Sequence, residues 1–143
     1  MKILVSACLL GVNCKYNGGN NYCQAVADFV KDKEVLPVCP EVMAGMGCPR
    51  TPIEIVNGVL VDRNGDSVDA AMRDAVMKAM EQIRTEEISC AILQSRSPTC
   101  GVNQIYDGTF SGKLIPGSGI FAQALRESGY RVVDAEDLKE DTL

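Results

Sequence analysis

At 143 residues the chain is long enough to bury a substantial core within one domain, and its 46% apolar and 23% charged residues are an ordinary globular balance. A net charge of −5 argues against a general electrostatic attraction to nucleic acid or to an anionic membrane surface. The absence of histidine removes imidazole metal sites, Ser-His and Cys-His nucleophile pairs, and histidine proton transfer.

Residues 2–7, KILVSA, read as a short buried strand, followed by a polar, glycine-rich loop over 11–21. Residues 22–32, YCQAVADFVKD, put Val26, Phe29 and Val30 on one face and predict a helix. Residues 34–39, EVLPVC, predict a second strand. Its Pro37 lacks a ladder donor and suits a sheet edge or a late strand position. Residues 40–52, rich in Gly and Pro, read as a loop. IEIV and VLVD flank Asn57-Gly58, which predicts a small hairpin.

A second helix is expected to start near Asp66, an N-cap with Asp69 three residues on. The stripe Val68, Ala71, Met72, Ala75, Val76, Ala79, Met80 and Ile83 has helical spacing and reads as a core face, not a methionine cofactor site. Residues 89–94, SCAILQ, read as a third strand, 95–118 as a long loop, 119–128 as a helix stopped by Gly129, and RVVD as a last short strand. Asp134, Glu136, Asp137, Glu140 and Asp141 read as a solvated end, with 135–143 as an acidic tail.

The alternation of strand and helix predicts a single α/β domain over 1–143. The expected form is a Rossmann-like three-layer sandwich with a mainly parallel sheet and a small β-hairpin excursion. Met1 leads almost at once into Ile3-Leu4-Val5, with no leader-like or membrane-spanning stretch, so the expected location is cytoplasmic. Seven cysteines are then expected to be reduced, and to serve metal binding or catalysis more readily than disulfides.

Ligands of a parallel sheet bind at the carboxyl ends of its strands. Cys8 lies just after the first strand, Cys39 closes the second, and Cys100 follows the third by a short loop. Ionised thiolates repel one another unless a cation neutralises them. As soft ligands they select zinc, copper(I) and iron–sulfur clusters. Three ligands from three loops suit a metal or cluster with one open position, while a structural zinc usually takes four ligands in close pairs. Cys90, in a strand, and Cys23, on a helix, read as packing residues, and Cys14 and Cys48 are loop residues compatible with either role. Two further readings stay open. One is a non-catalytic metal-binding or redox-sensing module, holding zinc or a cluster with four Cys ligands that include Cys14 or Cys48. The other is a metal-free thiol enzyme, disfavoured because Cys100 has only Arg96 as a basic neighbour and no Cys-x-x-Cys exists.

The segments SACLLGVNCKYNGG, PVCPEV with GMGCPR, RSPTCG and IYDGTFSG, in this order, closely resemble the thiouracil desulfidase family, formerly a domain of unknown function. The resemblance spans roughly residues 3–134. It implies a [4Fe–4S] cluster held by three cysteines, matching Cys8, Cys39 and Cys100. It also implies removal of sulfur from a small thiolated nucleobase such as 2-thiouracil, giving the oxo product and sulfide. Cys48 competes with Cys39 as the second ligand, and Cys14 is expected near the cluster. The implied chemistry needs a base for water, and without histidine a carboxylate is the natural choice. Glu41, two residues after Cys39, is expected to supply it, with an ion pair to Arg50 as its structural alternative. Ser97 is expected to bind the substrate carbonyl or position water, or else to cap a turn. Tyr106, Asp107 and Arg50 are expected to contact substrate. Residues 105–119 are expected to cover the site as a lid, and Gly117-Ser118-Gly119 opens a helix whose N-terminus suits an anion.

Overall fold

The computed structural model describes residues 2–47 and 50–138. Four parallel strands form the central sheet in the order β2-β1-β5-β8: β1 is Lys2–Ser6, β2 Glu34–Val38, β5 Ile88–Leu93 and β8 Val132–Asp134. The β-rich, apolar sequences of β1 and β5 suit the two central positions, where both faces are covered. Leu4, Val5, Ala91, Ile92 and Leu93 are fully buried. Pro37 sits on the edge strand β2, opposite Val5, as its missing donor requires.

Alternating side chains divide the core into two layers. On one face Ile3, Val5, Cys90 and Ile92 pack against Val26 and Val30 of α1, Gln24–Val30, with Phe29 at the margin. On the other, Leu4, Ala91 and Leu93 pack against α3, Asp69–Arg84, and α4, Ile120–Glu127. From α3 the buried stripe is Met72, Ala75, Val76, Ala79 and Ile83, while Ala71 is exposed. Burying side chains of the size of Leu125 or Phe121 stabilises the fold by about 1.5–3 kcal/mol each.

The α/β class, the parallel sheet and the hairpin agree with the sequence expectations. The hairpin pairs β3, Ile53–Val56, with β4, Val59–Asp62, around Asn57 and Gly58, both at positive φ.

Four local expectations are corrected. First, α3 starts at Asp69, not Asp66. The Asp66 amide donates to the Asp62 carboxylate at 3.0 Å and Ser67 bridges back to Val61, so residues 62–67 close the hairpin instead of capping a helix. Second, the 40–52 loop opens with a single helical turn, α2, Pro40–Met43, with Pro40 at the first helical position where its missing donor costs nothing. Third, the 95–118 loop contains a two-stranded hairpin, β6, Gln104–Tyr106, with β7, Leu114–Pro116. Fourth, Asp134 is not part of a solvated end, whereas Glu136 and Asp137 are exposed as expected, and Glu140 and Asp141 lie outside the described residues. Asp134 is buried, accepts from the Ser95 hydroxyl and from the Glu136 amide, and Glu136 pairs with Arg96 at 2.7 Å. No helix among the described residues is long and apolar enough to cross a membrane.

Candidate functional site

The sheet places β2 on one side of β1 and β5 on the other, so the chain reverses its winding direction at the carboxyl ends of β1 and β5. Such a switch point opens a crevice between the loops. Here it is a cleft of about 410 Å³, and Cys8, Cys39 and Cys100 all line it.

Each thiol is set by local chain geometry. Cys8 lies in a 3₁₀ turn, Ala7–Leu10, directly after β1. Asn21 reaches back to it twice: its amide donates to the Cys8 carbonyl at 3.0 Å and its Nδ2 donates to Cys8 Sγ at 3.5 Å. Cys39 is the extended residue between β2 and α2. Cys100 ends the Ser97-Pro98-Thr99 turn, where Ser97 Oγ accepts from the Thr99 and Cys100 amides at 3.1 and 3.0 Å. Burial pushes the Cys100 thiol well above its ordinary range. A Ser6 hydrogen bond opposes this, and Glu41, Cys39 and Cys8 add to it. Burial also raises the Cys8 thiol, against the Asn21 bond and with help from Cys39 and Glu41. Cys39 and Glu41 thus act on both thiols, and Cys8 acts on Cys100. Cys14 lines the same cleft.

Glu41 lines the cleft from α2 and pairs with Arg50 at 2.6 Å. The Arg50 side chain is 6% exposed and also donates to the Cys14 carbonyl at 2.8 Å, which ties the 11–21 loop to α2. The ion-pair alternative for Glu41 is thus present in the geometry, at the wall of the cleft. Ser97 lines the cleft with its oxygen already accepting two amides. Tyr106 lines the cleft too, whereas Asp107 does not. The Asp107 carboxylate turns to Thr109, accepting from its hydroxyl at 2.6 Å and its amide at 3.0 Å, and these bonds hold its pKa below the usual carboxylate range. Cys48 lies outside the described residues. Cys90 is buried within β5, and Cys23 precedes α1 and packs at the margin of the α1 core layer.

The expected anion site at the start of α4 is corrected. The Ile120 amide donates to the Pro98 carbonyl, and those of Phe121 and Ala122 to the Thr99 carbonyl, so the turn that carries Cys100 occupies the helix N-terminus. Several cleft residues were not anticipated, among them Ser6, Asn21, Glu54 and Phe110. Ser6 had a signal, as the polar end of an apolar strand two residues before Cys8. Asn21 and Glu54 had none, because only tertiary folding brings them in.

The fold, the switch-point cleft and its three thiols define an α/β protein with a soft-ligand site. Residues 3–137 match the 2-thiouracil desulfurase family, and the chain belongs to it. It is 36% identical to the uncharacterized protein YbbK of Bacillus subtilis (strain 168) over 148 residues, covering 96% of this chain and 98% of that protein. Among solved structures it is similar to the [4Fe-4S]-dependent thiouracil desulfidase TudS. The TM-score is 0.89 at 32% identity, covering 96% of this chain and 92% of that one.

Proposed function

We infer that this protein is a [4Fe–4S]-dependent desulfidase that converts a small thiolated nucleobase, such as 2-thiouracil, to its oxo product and sulfide. The observation that carries the reading is the meeting of Cys8, Cys39 and Cys100, from three separate strand ends, in one cleft. The donor set fits a cluster. Cys39 raises the proton affinity of Cys8, and Cys39 and Cys8 raise that of Cys100, so a cationic group among the three soft sulfurs relieves the repulsion. Thr99 Oγ1, beside Cys100 in the chain, is buried with no hydrogen-bond partner among the described residues, a hydroxyl left for something the protein itself does not supply.

Cys8, Cys39 and Cys100 would hold the cluster, whose open iron supplies Lewis acidity toward a soft thiocarbonyl sulfur. Asn21 orients Cys8 and Ser97 fixes the Cys100 turn. Glu41 takes the proton from the water that attacks the ring carbon, and Arg50 holds the carboxylate in place. Tyr106 forms part of the substrate wall.

The test is iron and acid-labile sulfide content after reconstitution without oxygen, followed by sulfide release from 2-thiouracil. Four irons and four sulfides per chain with turnover are expected. One tightly bound zinc with no turnover would replace this reading with a closed, four-ligand structural or sensing site.

A further inference from the structure

Phe110 is the one aromatic residue with positive φ, +56°, among the described residues; Asn57 and Arg96 are the other non-glycine residues there. Side chains of this size adopt that conformation only where their surroundings impose it, and such strain gathers at functional sites. What imposes it is Glu54. This carboxylate, 7% exposed in β3, accepts from the Phe110 amide at 3.1 Å and from the Gly108 amide at 2.9 Å through the same oxygen. The loop sits so closely on β3 that a Cβ at Gly108 would stand 2.7 Å from the Ile55 carbonyl oxygen. Phe110 gains no core packing in return. It belongs to neither buried cluster and instead lines the cleft that also holds Cys8, Cys39 and Cys100. The chain has only seven aromatic residues, three Phe and four Tyr, and Tyr16, Tyr106 and Phe110 are all cleft-lining.

We propose that Glu54 and Phe110 form a specificity device in which the buried carboxylate fixes the phenyl ring as a flat wall for a planar, unsaturated thiolated ring. The proposal rests on the desulfidase reading for the identity of the ring. Phe110 is the contact residue and Glu54 the positioning residue. An aromatic face favours a flat ring over a puckered one by shape and quadrupole. The same thiocarbonyl head group on a saturated ring gains nothing from it.

Two measurements test this on the cluster-loaded protein. In the first, sulfide release is compared for 2-thiouracil and its puckered 5,6-dihydro analogue. Phe110→Leu is expected to lower kcat/KM for 2-thiouracil about three- to tenfold through KM, in line with the worth of an aromatic pair. Iron content and the rate on the dihydro analogue stay unchanged. Glu54→Gln has the same effect, and the double variant loses no more. Equal losses on both substrates, or loss of iron, would overturn the device. In the second, Phe110→Trp places the chain's only Trp in the wall. Uracil is expected to quench its fluorescence and 5,6-dihydrouracil is not. Adding Glu54→Gln lowers its anisotropy and abolishes the quenching. Quenching by both ligands or by neither, or an anisotropy indifferent to Glu54, would refute the proposal. The fluorescence outcome holds even where no sulfide is released from any substrate, a result that would count against the desulfidase reading alone.

Discussion

Arg50 meets Glu41 at 2.6 Å with a guanidinium almost wholly removed from water, while Glu41 keeps 20% of its side chain exposed at the cleft. Both line the cleft, with Arg50 the more deeply buried of the two. Glu41→Gln is therefore expected to lower sulfide release about a hundredfold or more, the usual worth of a general base. Iron content should not change. Turnover near the wild-type rate in a fully loaded Glu41→Gln protein would remove the assignment.

The same pair predicts a stability effect. Arg50→Ala strips the Cys14 carbonyl and the Glu41 carboxylate of one shared donor. Removing one partner of a fully buried pair costs about 3–5 kcal/mol, and the partial exposure of Glu41 brings the expected loss to about 2–3 kcal/mol. Urea unfolding of the apo-protein measures it.

The cysteines divide by position. Cys8→Ser, Cys39→Ser and Cys100→Ser are each expected to lose iron on anaerobic reconstitution. Cys23→Ser and Cys90→Ser are expected to keep it, since neither residue reaches the cleft. Iron retained in Cys39→Ser but lost in Cys48→Ser would move the second ligand to Cys48.

Gly119 supports the Cys100 turn from behind. A Cβ there would lie 2.3 Å from the Thr99 carbonyl carbon and 2.8 Å from the Cys100 nitrogen, backbone atoms that cannot step aside. Gly119→Ala is expected to cost about 3 kcal/mol, the upper end for overpacking, and to reduce iron occupancy. A variant as stable as wild type, with full iron, would show that the turn is looser than its contacts indicate.

Asp69 gives an acid dependence. Burial pushes its carboxyl up, but the Leu60 amide at 3.1 Å and Arg73 at 2.9 Å outweigh that and leave it below the usual carboxylate range. A depressed folded pKa contributes stability above the unfolded value of about 3.9, and the contribution is lost as pH falls through the folded value. Asp69→Asn should therefore be less stable than wild type at neutral pH, with the difference closing below about pH 4. A difference constant from pH 3 to 7, in thermal melts across that range, would contradict the linkage.

The sequence carried the parts of this fold that rest on local pattern. The α3 stripe, the Asn57-Gly58 turn and the apolar runs of β1 and β5 each repeat one signal over many residues. That was enough to set the parallel sheet and, through it, the strand ends where Cys8, Cys39 and Cys100 fall. The parts that stayed hidden are short or tertiary. β6 and β7 have three residues each, too few for alternation to stand out against the glycines around them. α2 is a single turn begun by Pro40, a residue that usually argues against helix. Asp134 looked like tail because its partner, Ser95, is 39 positions away in the chain. Glu54 sat in an ordinary hairpin strand, with nothing local to announce the backbone amides it would receive.

Pro37 has one more consequence. An open parallel sheet ends in two unpaired borders, each a ready template for another chain. Here one border carries a proline as the fourth of its five residues, and the other is the three-residue β8. Neither offers a long run of free amides. Borders this blunt disfavour strand-to-strand joining of one molecule to the next.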